Sequence, residues 1–154
     1  MKKEQLETFH QRSPGRRLAM LSRLSMAYMA GPLAEMGIGR GKIGFLLSVL
    51  QFEGIVQEEL TNRLCIDRAA TARALQALED QGLVRREEDR EDRRKKRVFS
   101  TDKARALQPK LMEMLTRHNE ALFSGLTRSE QDQFLDMLDR LVDNLRVAVE
   151  GGSR

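Results

Sequence analysis

At 154 residues, 40% hydrophobic and 32% charged, with one Tyr, six Phe and no Trp, the chain is long enough for one core-bearing domain, with or without oligomerisation arms. Its Leu, Ala, Met, Arg and Glu bias is that of a mainly helical protein. The single cysteine, Cys65, excludes an internal disulfide and a cysteine-based metal site, and the net charge of +4 falls as +4, +1 and −1 over residues 1–55, 56–100 and 101–154, so the middle third can hold a polyanion only by placed cations and not by a general positive field.

Residues 1–13 are polar and expected to form a loose or short helical arm. Ser13 before Pro14 reads as an N-cap with proline at the first helical position. Leu18, Leu21, Leu24 or Ser25, and Tyr28 then recur at helical spacing until Gly31 and Pro32, which are expected to kink or end the helix. A short apolar continuation through Leu33 and Met36 leads to a turn punctuated by Gly37, Gly39 and Gly41. Lys42 to Phe52 is apolar nearly all round, as in a helix at the centre of a domain. Glu53 and Gly54 end it, Ile55 and Val56 can extend, and a third helix runs to about Leu64 before a tight turn at Cys65 and Ile66.

Asp67 reads as the N-cap of a fourth helix reaching about Gln81. Its inward positions are Ala74 or Leu75 and Leu78, and its other face carries Arg68, Thr71, Ala72, Arg73 and Gln76. Gly82 reads as the left-handed residue that stops it. From Arg85 to Arg97 thirteen consecutive residues are charged, eight basic and five acidic. As a helix, the favourable i,i+4 pairs of this run are cancelled by like-charge pairs. As a hairpin, Leu83 and Val84 come opposite Val98 and Phe99, with Asp89 to Arg93 as the turn. The hairpin is the expectation and the helix its alternative; the five acids are expected to restrain and orient the arginines.

Thr101 and Asp102 cap a fifth helix, with Leu107, Leu111, Met114 or Leu115, His118 and Leu122 on one side and Pro109 as a potential kink. Gly125 stops it, and Thr127 with Glu130 forms a capping box. The last helix carries Phe134, Leu138, Leu141, Leu145 and Ala148 as one stripe and Leu135, Val142 and Val149 as another, so it is expected to pack on its own domain and on a partner chain. Seven methionines lie in these terminal helices and none between residues 37 and 111; gap-filling is their commoner use. Cys65 reads as a structural thiol. The order of elements is a winged helix-turn-helix: a mainly α fold with a small β-hairpin wing, α+β. Its parts are an N-terminal dimerisation arm and helix over 1–36, a DNA-binding lobe over 37–100, and C-terminal dimerisation helices over 101–154.

The segment from Gln57 to Ala104 resembles the MarR family of bacterial and archaeal transcriptional regulators. The resemblance is carried by EELTNRLCIDRAATARALQALEDQGLVRR, by the wing motif Asp92-Arg93-Arg94, and by VFSTDKARAL. It implies a homodimer on double-stranded DNA, each subunit placing a recognition helix in the major groove and a wing in the flanking minor groove. In many members a small, often phenolic or otherwise aromatic, effector binds between the dimer helices and the DNA-binding lobe and lowers DNA affinity. Carried over by position, the recognition helix supplies Asp67, Arg68, Ala69, Thr71, Ala72, Arg73 and Gln76, and the wing supplies Arg90, Asp92, Arg93, Arg94 and Lys95. Asp92 would orient one of the wing arginines or Arg73. The dimer interface would draw on Leu18, Leu21, Tyr28, Phe134, Leu138, Leu141 and Leu145. Two departures stand out. Ala69, Ala70 and Ala72 occupy positions usually held by Ser or Thr, which favours methyl contacts to thymine over hydroxyl contacts to phosphate, and Ala104 replaces a frequent glycine.

The function expected is therefore a dimeric repressor on a pseudo-palindromic operator; the alternative is a helical adaptor or antagonist that keeps the fold and binds protein. No nucleophile and base pair, metal-ligand cluster or glycine-rich phosphate loop points to an enzyme, and no cofactor is expected. With no run of about eighteen apolar residues and no signal-peptide pattern, a cytoplasmic location without membrane contact is expected.

Overall fold

The computed structural model describes the backbone of residues 3–151 and the side chains of residues 7–151; the extreme ends of the expected dimerisation arms, residues 1–2 and 152–154, lie outside the described residues. In chain order the elements are α1 (Lys3–Arg12), α2 (Pro14–Glu35), α3 (Ile43–Gln51), β1 (Ile55–Val56), α4 (Gln57–Leu64), α5 (Arg68–Asp80), β2 (Val84–Glu88), β3 (Lys96–Ser100), α6 (Asp102–Leu122) and α7 (Arg128–Gly151). They fall into two units, Met1–Leu115 and Thr116–Arg154.

In the first unit, α3 is the helix with the fewest polar positions, and Phe45, Leu46 and Val49 are buried at the centre of a cluster that also takes Leu33, Leu60, Leu75, Leu78, Leu83, Val98 and Leu111. Each fully buried leucine of this kind contributes about 1.5–3 kcal/mol. The three strands form an antiparallel sheet in the order β1-β3-β2. Gly54 starts β1 at φ 76°, and a Cβ there would meet the Phe99 ring at 2.9 Å, so only glycine fits both the backbone and the space. At its far end β3 runs into α6 through Thr101, whose hydroxyl accepts the Ala104 amide at 3.2 Å and donates to the Gly82 carbonyl at 2.7 Å.

Two expectations for this unit are narrowed or corrected. Of the two outcomes expected at Gly31 and Pro32, a kink or an end, the end is not found: helix α2 continues to Glu35 with Pro32 inside it. Proline in the last turn forfeits a single amide bond, and Met29 and Leu33, buried on either side, hold the helix across it. The hairpin forms, but in a different register: Val84 lies opposite Ser100 and Val98 opposite Arg86, because the turn spans residues 89–95, closed by Asp89 N–H to the Lys95 carbonyl at 3.0 Å. The shift is by two residues, which leaves every side chain on its expected face. Ser13 stands at the N-cap position of α2 in an extended conformation without a side-chain cap bond.

In the second unit the capping box is present: Glu130 Oε2 accepts the Thr127 amide at 2.7 Å, and Thr127 Oγ1 accepts the Glu130 amide at 3.3 Å. Phe123 and Phe134 meet edge to face with centroids 6.0 Å apart. Helix α7 fully buries none of its residues, and the expected packing of one stripe on its own domain is seen only at its start. Phe134 and Leu138, at the start of the first stripe, are half-buried, whereas Leu141 and Leu145 further along it and Leu135, Val142 and Val149 of the second are exposed.

Candidate nucleic-acid interface

The turn into α5 is made by Cys65, whose left-handed φ of 51° brings the Ile66 amide back to the Thr61 carbonyl at 3.2 Å. Asp67 then caps α5, its carboxylate accepting the Ala70 amide at 2.8 Å. An acceptor here satisfies an otherwise orphaned donor and complements the positive end of the helix dipole. Arg68, Ala69, Arg73 and Gln76 are exposed and Ala72 is half-buried, as the expected outer face requires.

Thr71 does not belong to that face. It is 0% exposed, one step of the 71-75-78 spacing that carries Leu75 and Leu78 inward, and its hydroxyl has no hydrogen-bond partner among the described residues. Nor is Gln76 free: its amide donates to Asp80 at 2.8 Å and its carbonyl accepts from Arg86. Arg68 pairs with Glu58 across the turn at 2.5 Å, whereas the Arg73 side chain makes no hydrogen bond or ion pair among the described residues.

The wing is organised by a residue outside the expected contact set. Asp89 is only 4% exposed. It accepts the amides of Glu91 at 2.8 Å and Asp92 at 2.9 Å and pairs with the Arg97 guanidinium. The Asp92 amide foremost, then the Glu91 amide and the Arg97 side chain, hold its carboxyl down to about 2. Arg97 reaches on to the Gly54 carbonyl at 3.0 Å. An aspartate followed by charged residues at the end of a strand is the local signal for such a side-chain-centred turn, and it was hidden among the other acids of the run.

Asp92 does orient an arginine, Arg94, at 3.0 and 3.3 Å, and makes no bond to Arg73. The bond with Arg94 depresses the Asp92 carboxyl. The same happens at Glu79, which receives the Arg86 side chain at 3.0 and 2.6 Å and the Arg86 amide at 2.9 Å; this joins the end of α5 to β2. Arg90, Arg93 and Lys95 are exposed, and their side chains make no hydrogen bond or ion pair among the described residues. Arg68 from α5 and Arg94, Lys95 and Lys96 from the wing line one groove of about 180 Å³, together with Val56, Gln57, Glu58 and Thr61.

Of the expected dimer residues, Leu18, Tyr28, Leu141 and Leu145 are exposed, and Leu21, Phe134 and Leu138 half-buried. Among the described residues no cluster of His, Cys, Asp or Glu could hold a metal ion, and no helix is long and apolar enough to cross a membrane.

A family model described as the MarR family matches residues 42–96. A solved MarR transcriptional regulator from Methanosarcina mazei Go1 is 34% identical, with a TM-score of 0.79 over 86% of this chain and 96% of that one. This chain belongs to the MarR family of transcriptional regulators. An uncharacterised HTH-type transcriptional regulator of Bacillus subtilis (strain 168), YybA, is 27% identical over 84% of this chain and 87% of its own length. The same MarR fold recurs, at 24% identity and a TM-score of 0.84 over 90% of this chain and 91% of the other, in a Listeria monocytogenes protein described as a MarR family transcriptional regulator complexed with 26mer DNA.

Proposed function

We propose that this MarR-family regulator is a homodimeric repressor of a pseudo-palindromic operator, with α5 in the major groove and the wing along the flanking minor groove. The observation that carries this reading is the shared groove, where Arg68, the first residue of α5 and paired with Glu58, converges with three cations of the wing; cations brought together from two elements suit a phosphate backbone passing between them. Arg73, with the methyl groups of Ala69 and Ala72, is the base-side contact, and Arg68 joins the phosphate-holding cations of the groove. Arg90, Arg93, Arg94 and Lys95 hold phosphates, and Asp92 aims Arg94. Thr71 and Gln76 leave the reading set because the fold uses them.

Self-association is supported by α7, where Leu141, Leu145 and Val149 are exposed without any buried residue; uncovered apolar surface of this extent marks an interface. Effector release is supported by an open groove of about 390 Å³ in the first unit, with Met26, Ala30 and Leu33 on one side and Arg40 and Gln81 as polar groups. That is a size and lining suited to a small aromatic molecule with one anionic or hydroxyl group.

Selection of bound duplexes from a random library tests the reading. A two-fold symmetric site with half-sites about one helical turn apart is expected. On that site Arg73→Ala should relax base preference by about 1–3 kcal/mol at one position, and Arg93→Ala should weaken all sequences and lower the salt slope by about 1. Absence of any salt-dependent duplex binding would transfer the fold to a protein-binding adaptor.

A further inference from the structure

The eight cations between Arg85 and Arg97 are not equivalent. Arg85 lies over the Phe99 ring at 4.5 Å, Arg86 is bound by Glu79, and Arg97 is held between the Asp89 carboxylate and the Gly54 carbonyl. Arg90, Arg93 and Lys95 are turned outward from the loop whose two inner amides Asp89 binds. We infer that Asp89 and Arg97 are a positioning pair, contacting no DNA themselves, that presets the loop bearing Arg90, Arg93 and Lys95 before a duplex arrives.

This inference rests on the DNA-binding reading above, and charge and geometry give it opposite signs. By charge alone, a carboxylate among these cations repels phosphate, and removing it tightens binding. By geometry, the same carboxylate closes the loop through two amides and clamps Arg97. Through the Gly54 carbonyl, Arg97 then ties the loop to the turn before β1, on the opposite edge of the sheet from β2. Without the pair, association must order the loop and its three cationic side chains, a cost that falls directly on affinity. Arg97 is thereby separated from the phosphate-binding cations although it stands in the same run.

The test is duplex binding across a salt series, on the library-selected site, for the wild type, Asp89→Ala, Asp89→Asn, Arg97→Gln and the Asp89→Ala/Arg97→Gln double variant. Thermal unfolding and amide exchange of each free protein are measured alongside. Asp89→Ala should bind about tenfold more weakly, with a shallower salt slope, despite its added net positive charge. Asp89→Asn keeps an oxygen for the Glu91 and Asp92 amides but loses the ion pair, and should fall between. The double variant should be no weaker than the worse single one, as for two groups acting as a unit. Exchange at the Glu91 and Asp92 amides should quicken in Asp89→Ala beyond what its lowered unfolding midpoint accounts for, with core amides still protected; if that variant unfolds, the intermediate affinity and slope of Asp89→Asn and Arg97→Gln carry the test. Equal or tighter binding by the Asp89 and Arg97 variants overturns the positioning role. A wild type that binds no duplex overturns the DNA reading instead.

Discussion

The lobe built from α3, α4, α5 and the sheet, and the long helix α7, both carry regularly spaced leucines and valines, yet they dispose of them oppositely. In the lobe Leu46, Val49, Leu60, Leu75, Leu78 and Val98 reach 0% exposure, whereas in α7 Leu145, Val147 and Val149 stand at 67, 70 and 70%. A periodic apolar stripe says that a helix has a face to cover. It does not say which chain covers it. The lobe closes its core from within one subunit, and α7 leaves an apolar surface exposed, which the proposed dimer would cover.

The largest effect is expected inside the lobe. Leu78→Ala should cost about 2–5 kcal/mol in calorimetric unfolding, because the cavity adds to the lost transfer energy; a cost under about 1 kcal/mol would mean that the core is not self-contained. Next comes α7, where Leu141→Glu together with Leu145→Glu should convert a two-chain mass into a one-chain mass in sedimentation. A loss of about 2 kcal/mol or more of association energy is expected, with the lobe still folded. An unchanged mass would remove α7 from the interface.

A smaller effect tests how the lobe's wing is fastened. The Asp89 carboxyl titrates near 2 in the folded chain against an ordinary 3.8, so its contribution is complete above the ordinary value and is lost as pH falls toward 2. The thermal midpoint of the wild type should drop more steeply between pH 4 and 2 than that of Asp89→Asn, and parallel curves would show that the wing adds nothing to stability. The smallest change is Thr71→Val, which replaces a buried, unpartnered hydroxyl by a methyl of similar shape and should be neutral or stabilising by up to about 1 kcal/mol. Destabilisation beyond about 2 kcal/mol would mean that the hydroxyl is satisfied after all.

Most of the element order was legible because its signals are local. Asp67 before α5, Gly82 after it and the Thr127–Glu130 box each act within one turn of the backbone. Of the candidate site, the exposure of Arg68 and Arg73 on α5 and of Arg90 and Arg93 on the wing was legible. What failed to show was commitment. Gln76 looks available until Arg86, ten residues on, takes its carbonyl, and Asp89 looks like any other acid until the fold brings Arg97 to it. The helix runs on past Pro32 because burial of Met29 and Leu33 outweighs one lost amide bond. Thr71 is different: the 71-75-78 spacing pointed inward, and its polarity masked the pattern. The register slipped by two because nothing in the run itself discloses that the turn takes seven residues.

The clamp of Arg86 on Glu79 and Gln76 sets a boundary for anyone exchanging operator preference between regulators. A transplanted reading face can run from Arg68 to Arg73 with its own chemistry, since no wing residue hydrogen-bonds to the side chains there. Extended past Gln76, the transplant must bring a matching β2 residue with it, or the donor helix will arrive with its wing unhitched.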